Sequence, residues 1–502
     1  WQDFAEYSNF LKSNGIENLN QEALQNILEG SVATSKRAIN GQYTTPPELA
    51  KLLVRLSVKD WTDTILDCCC GTGTIPKAAI EIKRTQLSPK DAVESVWACD
   101  KYKYPLQVAN ISMTDSDTIN LANRLFQHNA LSLTIGDDIS IVNPETGEEM
   151  HLSLPAFGTV VSNLPFVPFE IIPDDDKDEI SKMPLASELD GRSDLYCYIA
   201  TKIADVIKPG GTLGIIVSNS WLGTNAGTKL IEVLRQKYYL KQVHLSGKGR
   251  WFKNADVVTT IIVLEKKGSS QKATTDFWLW KQTLEQLTTD SDNENILVNS
   301  ALLGTELDKT VSRLSKYAQS QIDDLLELNV CYNALFHDID WLLNVKDKII
   351  PINEVYHVFR GNRRGWDALF YPQAGEHRIE KQYLKKVLIN ARNVNRLTAT
   401  ADRDAFCCGV STADLEKQGH IGALEWITKF VDQRNGVGKP LPTVLKRTGM
   451  EWYELQDNEI AEVFTMMNPD QRLFFAKFET PSFVNQRLIG LTHKASYSDE
   501  EL

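Results

Sequence analysis

The sequence lacks several features that define common protein classes. No run approaches 18 uncharged apolar residues, and Trp1-Gln2-Asp3 does not begin a basic and apolar secretion signal, so we expect no membrane anchor. Because Trp1 cannot be an initiator residue, we expect a fragment or a trimmed chain. Most of the eight cysteines are neighbours, as in Cys68 to Cys70 and in Cys407-Cys408, and no C-x-x-C pair occurs. Neither a disulfide framework nor a metal site is therefore expected, and a reducing cytoplasm fits best.

Two nucleotide-binding patterns are also missing. The phosphate-loop pattern G-x-x-x-x-G-K-[ST] does not occur, so nucleotide hydrolysis is not supported. Gly71 and Gly73 begin a G-x-G-x-x-G pattern, but no third glycine follows. A nucleoside cofactor smaller than a dinucleotide is therefore favoured.

The charge is distributed unevenly along the chain. The 502 residues carry a net charge of −12, which taken alone argues against a nucleic-acid partner. Residues 351–400, however, contain nine Lys/Arg against four Asp/Glu, with Arg360, Arg363 and Arg364 close to Trp366 and Phe370. This composition suits a loop that meets phosphates and bases, and it suits a solvated basic face equally well.

From Thr64 onward, short apolar strands alternate with helical segments. This rhythm predicts an α/β fold of the Rossmann-like type, in which a parallel-rich sheet is covered by helices. We expect an N-terminal helical segment at 1–40, the α/β domain at 41–270 and a mixed α+β domain at 346–502. Between them, 271–345 is predicted to be a helical spacer, because its leucines recur near helical spacing.

Polar residues at three successive strand ends predict a cofactor site. The segment Asp67-Cys68-Cys69-Cys70-Gly71-Thr72-Gly73-Thr74 follows one strand, and its glycines allow the backbone to turn sharply and approach a ligand. Asp67 is placed to anchor an ammonium group, Asp100 to take ribose hydroxyls, and Asn129-Ala130 to meet an adenine ring. Ligands of open α/β sheets bind at this edge.

The tetrapeptide Asn163-Leu164-Pro165-Phe166 follows the apolar strand Gly158 to Ser162 and indicates the chemistry. The Asn163 side-chain oxygen and the Leu164 carbonyl can together accept both hydrogens of an exocyclic amine. This arrangement draws the nitrogen lone pair out of the ring, and Phe166 can stack on the base. The pattern predicts methyl transfer to an amine.

The order of these motifs resembles the amino-type DNA methyltransferases that make N6-methyladenine, with cofactor motifs first and target recognition last. Thr45 and Pro46, with Tyr43 beside them, resemble the family's N-terminal cofactor motif. Asn163 to Phe166 resembles the catalytic Asn-Pro-Pro-Tyr/Phe, with Leu164 in place of the first proline. Cys68 also departs from the family, which usually has proline at this position.

The resemblance implies S-adenosylmethionine as cofactor, double-stranded DNA as substrate and no metal for methyl transfer. It implies that a flipped adenine stacks on Phe166 and on Phe252, and that the last domain recognises the target. A restriction endonuclease or a specificity subunit is the implied protein partner. The predicted DNA contacts are Arg360, Arg363, Arg364, Arg392, Lys446 and Arg447.

Several interpretations remain open from the sequence. The chain can be the modification subunit of a multi-subunit restriction system, a cytosine-N4 or protein-glutamine methyltransferase, or an inactive DNA-binding scaffold. The acidic run Pro173-Asp174-Asp175-Asp176 only faintly imitates a nuclease signature. We expect it to form a flexible loop beside the catalytic pocket.

Overall fold

The computed structural model describes residues 44–252, 257–268, 274–362, 365–455, 460–468 and 473–494. The predicted helical segment 1–40 lies outside the described residues, as do Tyr43, Arg363 and Arg364. The chain divides into two compact units, Trp1–Lys346 and Asp347–Leu502. The predicted start of the C-terminal domain at residue 346 lies next to this division.

The first unit contains helices of one to four turns and a large set of strands. Its helices are α1 (Pro47–Ser57), α2 (Thr74–Lys83), α3 (Pro89–Glu94), α4 (Lys103–Met113), α5 (Asp174–Ser181), α6 (Leu195–Lys202), α7 (Asn225–Lys237), α8 (Leu284–Leu287), α9 (Ser291–Leu303) and α10 (Gln319–Glu327). Its strands are β1 (Ile65–Asp67), β2 (Val96–Asp100), β3 (Arg124–Gln127), β4 (Asp138–Val142), β5 (Glu149–Ser153), β6 (Phe157–Asn163), β7 (Ile207–Ser218), β8 (Tyr238–Ser246), β9 (Thr259–Lys266), β10 (Thr274–Trp280) and β11 (Ser312–Ala318).

Nine strands of this unit form one sheet in the order β11-β10-β8-β9-β7-β6-β1-β2-β3, and β4 and β5 form a separate antiparallel pair. Strands β3, β2, β1, β6 and β7 are parallel neighbours, and β9 runs antiparallel between β7 and β8. The predicted α/β class with a parallel-rich sheet is confirmed. Because β1 lies between β2 and β6, the carboxyl ends of these three strands meet at one edge of the sheet.

Apolar clusters cover both faces of the sheet. Along β1 and β2, alternate residues enter opposite clusters: Leu66 and Trp97 pack on one face, and Ile65 and Val96 on the other. This alternation follows from the period of two along a strand. Helices α1 and α2 contribute to the cluster on the face of Ile65, whereas α6 and α7 contribute to the opposite one. The site at the strand ends is therefore supported from both sides.

The predicted helical spacer at 271–345 is wrong for two of its segments. Strand β10 pairs in parallel with β8, and β11 pairs antiparallel with β10, so both extend the sheet. His244 of β8 stacks on Trp278 and Trp280 of β10, with ring planes within 6° of one another. Burial lowers the pKa of His244 to about 3, so the imidazole is neutral at physiological pH and packs as an aromatic ring. Tertiary packing here outweighs the local helical spacing of the leucines.

The second unit has its own mixed sheet. Its strands are β12 (Tyr356–Arg360), β13 (Leu384–Leu388), β14 (Thr398–Ala399), β15 (Arg403–Phe406), β16 (Ala461–Met466), β17 (Phe475–Val484) and β18 (Leu488–His493). They are arranged in the order β12-β18-β16-β17-β13-β15, with β14 paired to β17. Its helices are α11 (Ile352–Val355), α12 (Asp367–Phe370), α13 (Thr412–Gln418), α14 (Ile421–Val431) and α15 (Leu441–Val444). Helix α14 packs Trp426 and Phe430 into an apolar cluster that belongs to this unit.

Within the described ranges, every helix is too short or too polar to cross a bilayer.

Candidate active site

The loop between β1 and α2 is built around two glycines with positive φ. Gly71 has φ +51° and Gly73 has φ +88°, conformations that side-chain-bearing residues rarely adopt. A Cβ on Gly73 would lie 2.9 Å from the Cα of Ala109 on α4, so this glycine allows close packing. A Cβ on Gly71 would meet no atom within 4 Å, so this stretch of backbone faces open space. The two glycines therefore have different roles, one in close packing and one where the backbone faces open space.

Asp67 ends β1 and is buried, with only 1% of its surface exposed. The Ser162 hydroxyl on β6 donates to Asp67 Oδ1 at 2.7 Å, and the Cys69 amide donates to the same oxygen at 3.2 Å. The other oxygen, Oδ2, is buried and has no hydrogen-bond partner among the described residues. Burial raises the pKa of Asp67 to about 7 against the opposing effect of these two hydrogen bonds. A buried carboxylate with an unused oxygen is suited to hold a cationic group.

Asp100 lies at the end of β2, directly opposite the glycine loop. The Gly71 amide donates to its Oδ2 at 3.0 Å, and the Tyr102 amide donates to its Oδ1 at 2.9 Å. Burial raises the pKa of Asp100, while these amide hydrogen bonds oppose the shift. Each carboxylate oxygen can accept a further hydrogen bond, so the residue can still take a diol while it shapes the loop.

The catalytic candidate Asn163 lies at the end of β6, next to β1. Its Nδ2 donates to Thr45 Oγ1 at 3.1 Å, and Thr45 is itself buried. Ser162, the preceding residue, is the one bonded to Asp67, so the predicted catalytic and cofactor motifs meet at this point. The Leu164 amide donates to the Ile216 carbonyl on β7 at 3.2 Å, and the Leu164 side chain is buried. The start of the tetrapeptide is thus held to β1 through Ser162 and to β7 through the Leu164 amide.

The two aromatic candidates differ in exposure. Phe166 is half-buried against the apolar cluster that includes Ile65 and Val96. Phe252 is 3% exposed and packs in the same cluster, together with Trp251. Part of the Phe166 ring is therefore accessible to a ligand. The stacking role of Phe252 stays a prediction, because its buried ring would first have to become accessible.

Asn129 follows β3 and has both ends of its amide engaged. Its Oδ1 accepts from the Leu131 amide at 3.0 Å, and its Nδ2 donates to Asp176 Oδ1 at 2.8 Å. Asp176 is buried, and Lys101 Nζ lies 2.8 Å from Asp176 Oδ1 and 2.7 Å from Asp175 Oδ2. Ala130, the predicted neighbour of the cofactor ring, is 5% exposed.

The acidic run predicted as a loop is instead the start of helix α5. Pro173 precedes this helix and the three aspartates occupy its first turn, where carboxylates are favoured by the helix dipole. Asp176 then faces the ends of β2 and β3.

Three thiols in or beside the glycine loop, those of Cys69, Cys70 and Cys99, have raised pKa values. All eight cysteines of the chain are free thiols. Burial and nearby acids raise the pKa values of the Cys70 and Cys99 thiols, and a hydrogen bond with Cys68 together with burial raises that of Cys69. These three groups stay protonated at neutral pH, so they are poor nucleophiles.

In the second unit, Arg360, Arg392, Lys446 and Arg447 are exposed. Lys446 and Arg447 line a cleft of ≈ 740 Å³ whose other walls include Gly409, Glu451 and Glu454. Arg360 lies on β12, where its Nε donates to the Gln486 carbonyl at 3.2 Å.

Sequence reasoning missed three residues of the site: Ser162, Lys101 and Asp176. Ser162 carries no local signal, because its contact with Asp67 depends on β6 being the neighbour of β1 in the sheet. The pairing of Lys101 with Asp176 joins residues 75 positions apart and carries no local signal.

Comparison with known proteins agrees with the geometry. The model of the N-6 DNA Methylase family matches residues 23–303, more than half of the chain. The Type II methyltransferase M.BanIII of Aneurinibacillus aneurinilyticus is 26% identical over 121 residues, which are 24% of this chain and 20% of that protein. The chain thus aligns with about a fifth of the length of this curated relative.

Among solved structures, the Type IIL restriction-modification enzyme MmeI in complex with DNA superposes with a TM-score of 0.52 and 12% identity, over 96% of this chain and 66% of that one. The type IIG restriction endonuclease BpuSI gives a TM-score of 0.49 and 15% identity, over 96% and 56%. At this identity, the likeness to MmeI shows the fold alone. Together with the match over the α/β unit, the site at its strand ends places the chain in the N-6 DNA Methylase family.

Proposed function

We propose that the protein transfers a methyl group from S-adenosylmethionine to the N6 amine of an adenine flipped out of double-stranded DNA, as part of a restriction-modification system. The observation that carries the proposal is the junction at the end of β6. Asn163 is held there by Thr45, and the adjacent Ser162 is bonded to Asp67 at the glycine loop. An amine-gripping residue and a cofactor-binding loop thus lie side by side.

The residues present fit this cofactor. Asp67 Oδ2 is a buried acceptor without a described partner, suited to an ammonium group. Gly71 borders open space, and Asp100 has acceptor capacity for a ribose diol. We assign Thr45 and Pro46 to the methionine part and Asn129 with Ala130 to the adenine. When bound, the cofactor supplies an electrophilic methyl group on a sulfonium.

The chain's own residues prepare the target amine. Because Nδ2 of Asn163 is bonded to Thr45, its Oδ1 is the amide atom that accepts one N–H of the target. The Leu164 carbonyl accepts the second N–H, since the turn is anchored through the Leu164 amide. Holding both hydrogens favours a pyramidal nitrogen, so that positioning and electrostatics supply the rate acceleration. Phe166 stacks on the base and takes the place of the neighbouring base pairs in the duplex.

The second unit is proposed as the target recognition domain. Its exposed cations, including Lys446 and Arg447 in the cleft, suit contacts with DNA phosphates. MmeI, a restriction-modification enzyme by its name, was solved in complex with DNA, and its likeness extends over 96% of this chain. A single chain with its own recognition domain is favoured over a subunit that needs a separate specificity partner.

The test is radiolabelled methyl transfer from S-adenosylmethionine to a mixed DNA substrate, followed by nucleoside analysis. Label in N6-methyladenine supports the proposal. Label in N4-methylcytosine would show that the target base is cytosine. Label in protein would show that the substrate is a protein and not DNA. Cofactor binding without any transfer by the isolated chain would favour a modification subunit that lacks its partner.

A further inference from the structure

The network at the ends of β2 and β3 contains a buried charge whose purpose is not evident from the fold. Asp176 has a 5% exposed side chain and is the residue of α5 that reaches both Lys101 and Asn129. Removing a carboxylate from water is costly, and a buried ion pair recovers that cost only in part. Stability alone therefore gives weak reason for a buried Asp176 at this position.

The geometry of Asn129 suggests a reason. An amide side chain can rotate and exchange its donor and acceptor ends, and such exchange would blur any reading of a ligand's hydrogen-bond pattern. Here the Leu131 amide fixes Oδ1 and Asp176 fixes Nδ2, so one orientation is selected. Lys101 holds the charge of Asp176 in place at 2.8 Å.

Asp176 also lies close in sequence to the catalytic turn. Helix α5 begins eight residues after Phe166, and the Leu195 amide at the start of α6 donates to the Val167 carbonyl at 2.9 Å. The segment between Phe166 and α5 thus leads back to the ends of β2 and β3, where Asp176 contacts Lys101 and Asn129. The residues that hold the target amine and those that face the cofactor's adenine are joined by this one short segment.

We propose that Asp176 is a positioning residue that fixes the Asn129 amide for recognition of the cofactor's adenine ring, with Lys101 as its charge partner. This inference rests on the proposed function, because it assumes that Asn129 meets the adenine. It extends that function by assigning a specificity role to α5, a helix outside the family's motifs.

The chain offers a matched control in the neighbouring residue. Asp175 makes the same kind of ion pair with Lys101 at 2.7 Å, but its side chain is 65% exposed, and it is Asp176 that bonds Asn129. Asp175→Ala therefore removes one charge from Lys101 and leaves the orientation of Asn129 intact. Asp176→Ala removes the same charge and also the oxygen that accepts from Asn129 Nδ2.

The experiment is calorimetric binding of two ligands to the full chain: S-adenosylhomocysteine and its inosine counterpart, which lacks the exocyclic amine. We expect the wild type to prefer the adenine ligand. Asp176→Ala should weaken binding of the adenine ligand about tenfold and bring the ratio of the two affinities close to one. Asp175→Ala should keep both the affinity and the ratio within about twofold of the wild type. A purely structural role would weaken both ligands equally and keep their ratio.

Asp176→Glu serves if the first variant does not fold. It retains the charge beside Lys101 but moves the acceptor by one methylene, so it should reduce the preference without unfolding the protein. An unchanged preference in the folded variants, equal effects at positions 175 and 176, or tighter binding by Asp176→Ala would overturn the inference. If the wild type binds neither ligand, the proposed function fails as well; if it binds and discriminates but the variants behave like it, only the role of Asp176 fails.

Discussion

At the scale of single residues, replacing Asn163 should slow methyl transfer strongly and leave cofactor binding nearly unchanged. Asn163→Ala removes the oxygen proposed to accept the target's N–H, so kcat should fall by roughly 10²–10³ or more, as for other groups that stabilise charge only during reaction. Cofactor affinity should change by less than about threefold, because Asp67, Asp100 and the glycine loop do not need the Asn163 side chain. Rapid-quench methyl transfer and calorimetry measure the two effects.

Thr45→Val is the companion variant. It keeps the shape of Thr45 but removes the oxygen that orients Asn163, so kcat should fall less than in Asn163→Ala. Equal loss of transfer and of cofactor binding in Asn163→Ala would contradict the assigned role.

Asp67 predicts a pH-dependent cofactor affinity. Its raised pKa of about 7 means that it is neutral below that pH, and only the charged form attracts an ammonium group. Affinity for S-adenosylhomocysteine should therefore be retained above pH 7 and fall up to about tenfold per pH unit below it. Calorimetry from about pH 5 to about pH 8 gives the midpoint.

Ser162 should set that midpoint. Its hydroxyl stabilises the carboxylate form of Asp67, so Ser162→Ala should raise the pKa further and move the midpoint up by roughly one pH unit. Ser153→Ala, at an exposed position on β5, is the control. A midpoint that is the same in both variants would show that the hydroxyl has no such role.

At the scale of elements, the loop between β1 and α2 should respond differently at its two glycines. Gly73→Ala combines a positive φ with a contact of 2.9 Å to Ala109, so it should destabilise the protein by about 2–4 kcal/mol. Gly71→Ala carries only the backbone strain, about 1 kcal/mol, but places a methyl group towards the open space beside Asp100.

Denaturant unfolding and ligand binding separate the two variants. For the same loss in the free energy of unfolding, Gly71→Ala should lose more cofactor affinity than Gly73→Ala. The reverse order would mean that the cofactor does not approach Gly71.

The elements that sequence alone predicted are those with short-range signals. Strand β1, its glycine loop and helix α2 follow from an apolar run, two glycines and a helical pattern within twenty residues. Strand β10 was missed because it joins the sheet by pairing with β8, more than thirty residues earlier, and this pairing has no local signal. Helix α5 was missed because an acidic run has no apolar face to reveal it, and its contacts with Lys101 and Asn129 are long-range.

The candidate site shows the same division. Asp67, Asp100 and Asn163 could be named because each follows an apolar strand at its carboxyl end, which the open α/β sheet makes a binding edge. Their mutual hydrogen bonds could not be named, because these depend on which strands are neighbours. Ser162 and Asp67 meet only because β6 lies beside β1 in the sheet.

At the scale of the whole molecule, the net charge of −12 repels a polyanion, so the chain can bind DNA only where cations are locally in surplus. The predicted contacts of the second unit therefore have to work through counterion release at the phosphate backbone. The logarithm of the binding constant then falls linearly with the logarithm of the salt concentration, with a slope of about −0.9 per neutralised phosphate for duplex DNA.

The double variant Lys446→Ala/Arg447→Ala tests this at the cleft of the second unit. If each side chain neutralises one phosphate, the double variant should bind duplex DNA more weakly and reduce the salt slope by about 1.8. Fluorescence anisotropy at several salt concentrations, with the full chain and cofactor present, measures both quantities.

The matched control is Lys386→Ala/Lys417→Ala, two exposed lysines of the same unit that are paired with Asp404 and Asp414 at 2.7 and 3.1 Å. Because these two lysines lie outside the cleft, their removal should leave the slope unchanged. Equal slopes in the two double variants would show that the second unit binds DNA through its overall charge or not at all. A reduced slope in the cleft variant alone would place the phosphate backbone against Lys446 and Arg447.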